Sequence, residues 1–211
     1  MQTEAVWRAL PRKIREVLAE KDLHDLQEIR LRSGQPLLLK RENRLFSLGK
    51  EGVFLPAADE KGMRISMADL RETVSLLSGY SLYAFEEELR QGYLTIEGGH
   101  RVGFCGKAVL ENGEIRTLRQ INALNIRIAR ERKGWGETLL PLLLEKNTLC
   151  HTLLVSPPGC GKTTLLRDLI RCLSERGKTV GVVDERGEIA PLRDGMPQMD
   201  VGPCTDILEG C

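Results

Sequence analysis

The chain has 211 residues, with 31 Lys and Arg against 30 Asp and Glu, 41% hydrophobic and 29% charged residues. That length buries a real core as one large domain or two small ones, and the composition is ordinary for a globular protein. The balanced charge removes any global electrostatic argument for a nucleic-acid or membrane partner.

No apolar stretch approaches the ~20 residues of a spanning helix. The densest, Leu139–Leu144, contains Pro141, and Met1–Ile14 is amphipathic, broken by Pro11 and lacks a signal-peptide core. The chain is therefore expected to meet a membrane only through a partner.

Along the chain, a helix is expected over Val6–Glu20. Leu26–Arg32 then alternates, with Ile29 and Leu31 on one face and Glu28, Arg30 and Arg32 on the other, and Ser33-Gly34-Gln35-Pro36 turns it into Leu37–Leu39. Ser66 followed by Asp69 reads as a helix start, Leu70, Val74 and Leu77 as its buried stripe, and Gly79 as its end. A short helix over Leu82–Gln91 stops at Gly92. The period then becomes two, giving strands at Tyr93–Ile96, Arg101–Cys105, Lys107–Leu110, Ile115–Leu118 and Asn125–Arg130, with turns at Gly98-Gly99 and Asn112-Gly113. Gly134–Gly136 reads as a hinge, dividing the chain into an α+β domain, 1–133, and a second domain, 134–211. In the second, an apolar strand Thr152–Val155, a helix Lys162–Arg176 closed by Gly177, and an apolar strand Val180–Val183 follow one another. Strand, helix, strand with a right-handed crossover begins a parallel α/β sheet.

None of the six cysteines forms a CxxC pair, and the three histidines show no metal-ligand spacing. Disulfides are one reading. Reduced, mostly buried thiols in a cytosolic protein are the better one, because Cys160 lies inside a glycine-rich loop and Cys172 on the apolar side of a helix. His100 and His151 read as ordinary packed or surface residues.

That loop carries the chemistry. Ser156-Pro157-Pro158-Gly159-Cys160-Gly161-Lys162-Thr163-Thr164 departs from the phosphate-loop pattern at one position, where Ser156 replaces the first glycine. Gly159 and Gly161 let successive amides curl toward phosphates. Lys162 places a charge on the β and γ phosphates, the Thr163 hydroxyl can coordinate Mg²⁺, and the helix start adds its dipole and free amides. ATP with Mg²⁺ is the expected ligand. The bland alternative is a glycine turn that merely precedes a helix.

Asp184 and Glu185 leave the carboxyl end of the second strand, where ligands collect in α/β sheets. Such carboxylates hold Mg²⁺ through water or orient an attacking water; they also occur as solvated strand ends. Val182-Val183-Asp184-Glu185 superficially matches a Walker B segment. Between Arg116 and Lys133 stand six basic residues and one acid, Glu131. They read as a solvated face, as arginines reaching a phosphate, or as a single-strand nucleic-acid path. With aromatics at 4%, stacking platforms are scarce and nucleic acid is the weakest of the three.

Taken together, Glu28–Pro36, Gly99–Gly103, Arg116–Arg130, the loop Ser156–Thr164 with Leu165–Asp168, and Val182–Arg186 are far more specific than the loop alone. On these residues the chain resembles the stage III sporulation protein AA family of endospore-forming bacteria, relatives of the type II and type IV secretion ATPases, over nearly its whole length. The resemblance implies an ATPase in the mother cell, on the cytoplasmic side of a membrane-spanning channel complex that joins mother cell and forespore. It implies a homo-oligomer, a hexameric ring in relatives, with nucleotide between an N-terminal and a RecA-like P-loop NTPase domain. It makes Glu185 the candidate catalytic base within an acidic segment, and Arg101 and Arg127 the matches for arginines that approach the γ-phosphate. In the family a third strand with the Walker B acid follows the position of Gly202–Asp206. This chain ends at Cys211, so a C-terminally truncated, incomplete RecA-like domain is expected, with Asp184-Glu185 in Walker B duty as the alternative. Three functions stay open: an ATPase, a nucleotide-binding assembly module without hydrolysis, and a nucleic-acid-stimulated NTPase.

Overall fold

The computed structural model describes residues 3–19, 24–49, 51–79, 86–146, 148–157 and 159–210. The expectations for Glu20, for 82–85 and for Pro158 fall outside them. The chain forms two compact units, Met1–Ala129 and Arg130–Cys211.

The first unit is built on a seven-stranded antiparallel sheet. Helices α1 (Glu4–Arg8) and α2 (Arg12–Leu18) precede β1 (Leu26–Arg32), β2 (Leu38–Arg41), β3 (Arg44–Leu48) and β4 (Phe54–Pro56). Then come α3 (Met67–Leu77), α4 (Glu86–Gln91), β5 (Tyr93–Ile96), β6 (His100–Glu111) and β7 (Glu114–Arg127). The strand order is β4-β3-β2-β1-β7-β6-β5. Ile29, Leu39, Ile126, Val102 and Leu94 occupy one row across five strands, all buried in a core shared with Val6, Leu10, Ile14 and Leu70.

The expected helix Val6–Glu20 is in fact two, because Pro11 has no amide to donate and its ring crowds the carbonyl four residues back. Pro11 stands at the N-cap of α2 with φ −54° and ψ 147°. The four expected strands on either side of Asn112-Gly113 fuse into the long pair β6 and β7, which bulge rather than break between Cys105 and Lys107. Strands β3 and β4 escaped the sequence reading. The β2–β3 turn is Glu42-Asn43, both left-handed at φ 43° and 63°, and lacks the glycine that would have signalled it.

The second unit contains α5 (Trp135–Leu143), the small pair β8 (Leu144–Glu145) and β9 (Thr148–Leu149), α6 (Lys162–Glu175), β10 (Val180–Asp184), the small pair β11 (Leu192–Arg193) and β12 (Met196–Pro197), and β13 (Thr205–Glu209). Its parallel sheet joins β10 to β13, with Val182 opposite Ile207 and Val183 opposite Leu208. Helix α6 packs between two apolar clusters: Leu169, Cys172 and Leu173 meet Leu140 of α5, while Ile170 meets Val182, Ala190 and Val201. The strand expected at Thr152–Val155 does not form. No strand among the described residues pairs with that segment, and Leu153 and Val155 are 85% and 82% exposed. The parallel partner of β10 is instead β13, which the sequence reading did not list. No helix among the described residues is long and apolar enough to cross a membrane.

At the start of α3 the Ser66 side chain accepts from the Asp69 amide at 3.2 Å and the Asp69 carboxylate accepts from the Ser66 amide at 2.7 Å, a reciprocal cap. Lys13 of α2 donates to the same carboxylate at 2.6 Å, which ties the two helices. Ser66→Ala is expected to lower stability by about 1 kcal/mol, read as a shifted urea midpoint at unchanged slope.

Candidate functional site

Helix α6 begins where the loop ends. Gly159 and Gly161 have φ of 78° and 82°, in the left-handed region that glycine enters freely. Ser156 is not among the residues with positive φ, so a side chain is tolerated where the common pattern has its first glycine; its hydroxyl donates to the Pro157 carbonyl at 3.2 Å. The Cys160 amide donates back to the same carbonyl at 3.4 Å, closing the turn. Gly161 is the N-cap, and no side chain caps the helix. The first amides of an α-helix have no partner within it, so this end presents free donors and the positive end of the dipole. Lys162 is exposed and its ammonium has no acidic partner among the described residues, while Thr163 and Thr164 are half-buried. A Cβ on Gly161 would stand 3.1 Å from the Trp135 ring, so that indole lies directly against the loop.

What fixes α6 is a buried charge cluster on its second turn. The Asp168 carboxylate accepts from the Gly136 amide at 2.7 Å on one oxygen and from Arg171 at 2.7 and 2.9 Å on the other. Arg171 also reaches Glu175 at 2.7 Å and Glu137 at 3.1 Å. The side chains of Asp168 and Arg171 are 2% and 6% exposed. Burial alone would push the Asp168 carboxyl up, but the Gly136 amide and the Arg171 guanidinium outweigh it and hold it below the usual carboxylate range. A Cβ on Gly136 would fall 2.7 Å from the Asp168 carbonyl carbon, so α5 and α6 touch backbone to backbone there.

The acidic segment after β10 is clamped from two sides. Asp184, buried, accepts from the amides of Glu188 at 3.0 Å, Ile189 at 2.8 Å and Ala190 at 2.9 Å. Arg167 of α6 donates to the carbonyls of the same turn, at 2.7 Å to Glu188 and also to Ile189, and at 3.3 Å to Arg130. Desolvation lowers the Arg167 pKa from its ordinary value. Both oxygens of Asp184 are thus taken up by its own loop, where the sequence suggested a metal ligand. Glu185, next in the chain, is exposed.

In the first unit, Arg101, Arg127, Glu28 and Lys40 lie opposite one another across β6, β7, β1 and β2 on the face away from the core. Arg101 lies over the Tyr93 ring at 3.9 Å, and Arg127 stands 3.6 Å from the buried Glu28, which also pairs with Arg30 at 2.7 Å. Arg116 and Arg119 stand further out on the β6–β7 hairpin and are exposed, and Arg116 pairs with Glu111. His100 is buried and its Nδ1 accepts from the Ala129 amide at 3.0 Å, a packed histidine.

The family model described as Sporulation stage III, protein AA, matches residues 1–211. The chain belongs to that family. It is 41% identical over 211 residues to the Stage III sporulation protein AA of Bacillus subtilis (strain 168), an alignment that takes in 96% of this chain and 64% of that protein. The chain therefore spans less than two thirds of the length of this relative. Among solved structures it is similar to the Legionella pneumophila ATPase DotB, at 17% identity and a TM-score of 0.42 over 95% of this chain and 52% of that one. It is also similar to the VirB11 ATPase from the Brucella suis type IV secretion system in complex with sulphate, at 12% identity and a TM-score of 0.34 over 87% and 52%.

For this member of the sporulation family, sequence reading found the loop but missed the parts that hold it: Trp135, Gly136, Arg167, Asp168 and Arg171. The signal was there in part, since charged residues at 167, 168 and 171 interrupt an apolar helix and face its buried side. Removing one partner of such a buried pair costs about 3–5 kcal/mol, so Asp168→Ala is expected to unfold the second unit at a much lower urea concentration. Because the folded pKa of Asp168 lies below its unfolded value of about 3.9, its contribution is complete above that value and is lost as pH falls through the folded pKa. Urea midpoints measured from pH 7 to pH 3 should fall at the acid end, and fall less in Asp168→Asn.

Proposed function

We propose that this chain binds Mg-ATP on the loop Ser156–Thr164 and is the nucleotide-binding part of an ATPase that serves the channel complex of sporulation. The observation that carries the reading is the pair of left-handed glycines feeding an uncapped fourteen-residue helix whose first residue is an exposed lysine. The chemistry of that donor set fits a triphosphate: free amides and a helix dipole for anionic oxygens, Lys162 for the β and γ phosphates, and the Thr163 hydroxyl toward Mg²⁺. Bound Mg²⁺ supplies neutralisation of the phosphate charge. Asp184, its oxygens committed to amides, acts toward the metal through water at most, and Glu185 is the carboxylate free to orient an attacking water. Family membership supports the sporulation setting: the mother-cell cytoplasm, attachment to the membrane through a protein of the channel complex, and a homo-oligomeric ring in which Arg101 or Arg127 approaches a nucleotide.

The reading is tested by titration calorimetry. ATP with Mg²⁺ should bind the wild-type chain, and Lys162→Ala should weaken binding by at least a hundredfold. Trp135 gives a second readout, since its ring lies against Gly161: in a Trp7→Phe background, ATP should change its emission, and retained affinity in Lys162→Ala would sink the assignment.

A second reading, nucleotide binding that drives assembly without hydrolysis, is favoured by the commitment of Asp184 to its own loop. Steady-state phosphate release decides between them. Turnover that is lost in Glu185→Gln and on adding EDTA supports the ATPase, and binding without turnover supports the assembly module.

A further inference from the structure

The long pair β6 and β7 belongs to the sheet only at its base. Strand β5 pairs with β6 over His100–Gly103, and β1 pairs with β7 over Ala123–Arg127. From Lys107 opposite Arg119 out to Glu111 opposite Glu114, the two strands pair with no other strand among the described residues. The arm starts at a bulge, where a Cβ on Gly106 would lie 2.7 Å from the Arg119 carbonyl oxygen and Gln120 has φ 49°. A lone two-stranded ribbon is marginally stable in water, with unpaired edges on both sides. This one also carries an apolar pair at its tip: Leu110 and Ile115 lie directly opposite each other, 64% and 44% exposed.

At the base of the same arm lies an apolar groove of about 560 Å³, walled by Leu70 and Val74 of α3, Leu89 of α4, and Leu118 and Ile121 of β7. Arg71 and Arg119 also line it, both exposed and without an acidic partner among the described residues. The tip has the opposite charge. Glu111 and Glu114 flank the Asn112-Gly113 turn; Glu111 reaches Arg116 at 3.3 Å, and Glu114 has no cationic partner among the described residues. The arm cannot fill its own groove. Strands advance ~3.3 Å per residue, so the ladder carries the tip roughly 10–20 Å beyond Leu118–Ile121 while it holds.

We propose that the β6–β7 arm of one copy docks in the α3–α4–β7 groove of a second copy, Leu110 and Ile115 entering the apolar cleft and Glu111 and Glu114 meeting Arg71 and Arg119. The contact is head to tail: each copy offers a tip on one side and a groove on another, so it propagates into a closed ring or a filament instead of stopping at a symmetric pair. Apolar complementarity supplies the attraction and the charges set the register. The contact does not use the phosphate loop.

Sedimentation equilibrium of the full chain without nucleotide tests it. The wild type should associate with rising concentration. Leu110→Ser/Ile115→Ser and, separately, Arg71→Glu/Arg119→Glu should each weaken association at least tenfold while keeping the wild-type thermal midpoint, since all four side chains are partly or wholly exposed. Mixing these two variants leaves one sound tip and one sound groove, so they should form a one-to-one dimer and nothing larger. Glu111→Lys/Glu114→Lys should fail with wild-type grooves and recover with Arg71→Glu/Arg119→Glu. A wild type that stays monomeric, a tip variant that associates as wild type, or a mixture without the dimer overturns the proposal. Lys162→Ala should associate as wild type, so loss of the ATP reading leaves this one standing.

Discussion

The second unit depends on the carboxylate of Asp168. It faces away from water on the second turn of α6, and a buried carboxylate is stable as an anion only when its lone pairs are filled. One oxygen takes the Gly136 amide and the other takes Arg171, so a single side chain joins the start of α5 to the body of α6. Gly136 has to be glycine for this, because the two backbones meet where its side chain would be. The neighbouring residue, Trp135, is thereby set against Gly161 in the glycine-rich loop. A tertiary ion pair one turn into the helix thus determines what stands beside its first residue.

The same helix sets the acidic loop. Arg167 donates to carbonyls of the turn that Asp184 holds by its amides, so the turn is gripped through both halves of its backbone hydrogen bonding. Burying a guanidinium is costly, as its lowered pKa reflects, and carbonyl acceptors with Glu131 and Asp184 nearby offset that cost. Two adjacent acids therefore end in different surroundings. Asp184 is buried and both its oxygens accept from backbone amides; Glu185 is exposed. The clamp on Asp184 thereby fixes the backbone from which Glu185 projects.

The sequence showed most where local rules decide. Ser66 and Asp69 announced the start of α3, the glycines at 159 and 161 marked the loop, and alternation marked β1, β5 and the two long strands. It showed least where distant residues decide. Thr152–Val155 has the apolar run of a strand, but a strand exists only if another lies beside it, and none of the described strands pairs with it. Strand β13 is short and partly polar, and only its register with β10 makes it part of a sheet. Helix α5 is not among the elements read from the sequence; it tolerates Pro141 two residues before its end and packs Leu140 against α6. Asp168 and Arg171 sit on the buried side of α6, but only the fold supplies the partner that fills the carboxylate, the amide of Gly136.

Apolar burial and polar bonds meet on the α6 side of the β10–β13 pair. Parallel sheets are stable when helices cover both faces. The β10–β13 pair turns Val182 and Ile207 toward α6, while Val183 and Leu208, opposite each other on the other face, are 67% and 57% exposed. Leu153 and Val155, just before the glycine-rich loop, are also exposed. On the α6 side, directional bonds add to the apolar contacts: Asp168 ties the helix to the start of α5, and Arg167 ties it to the turn that follows β10.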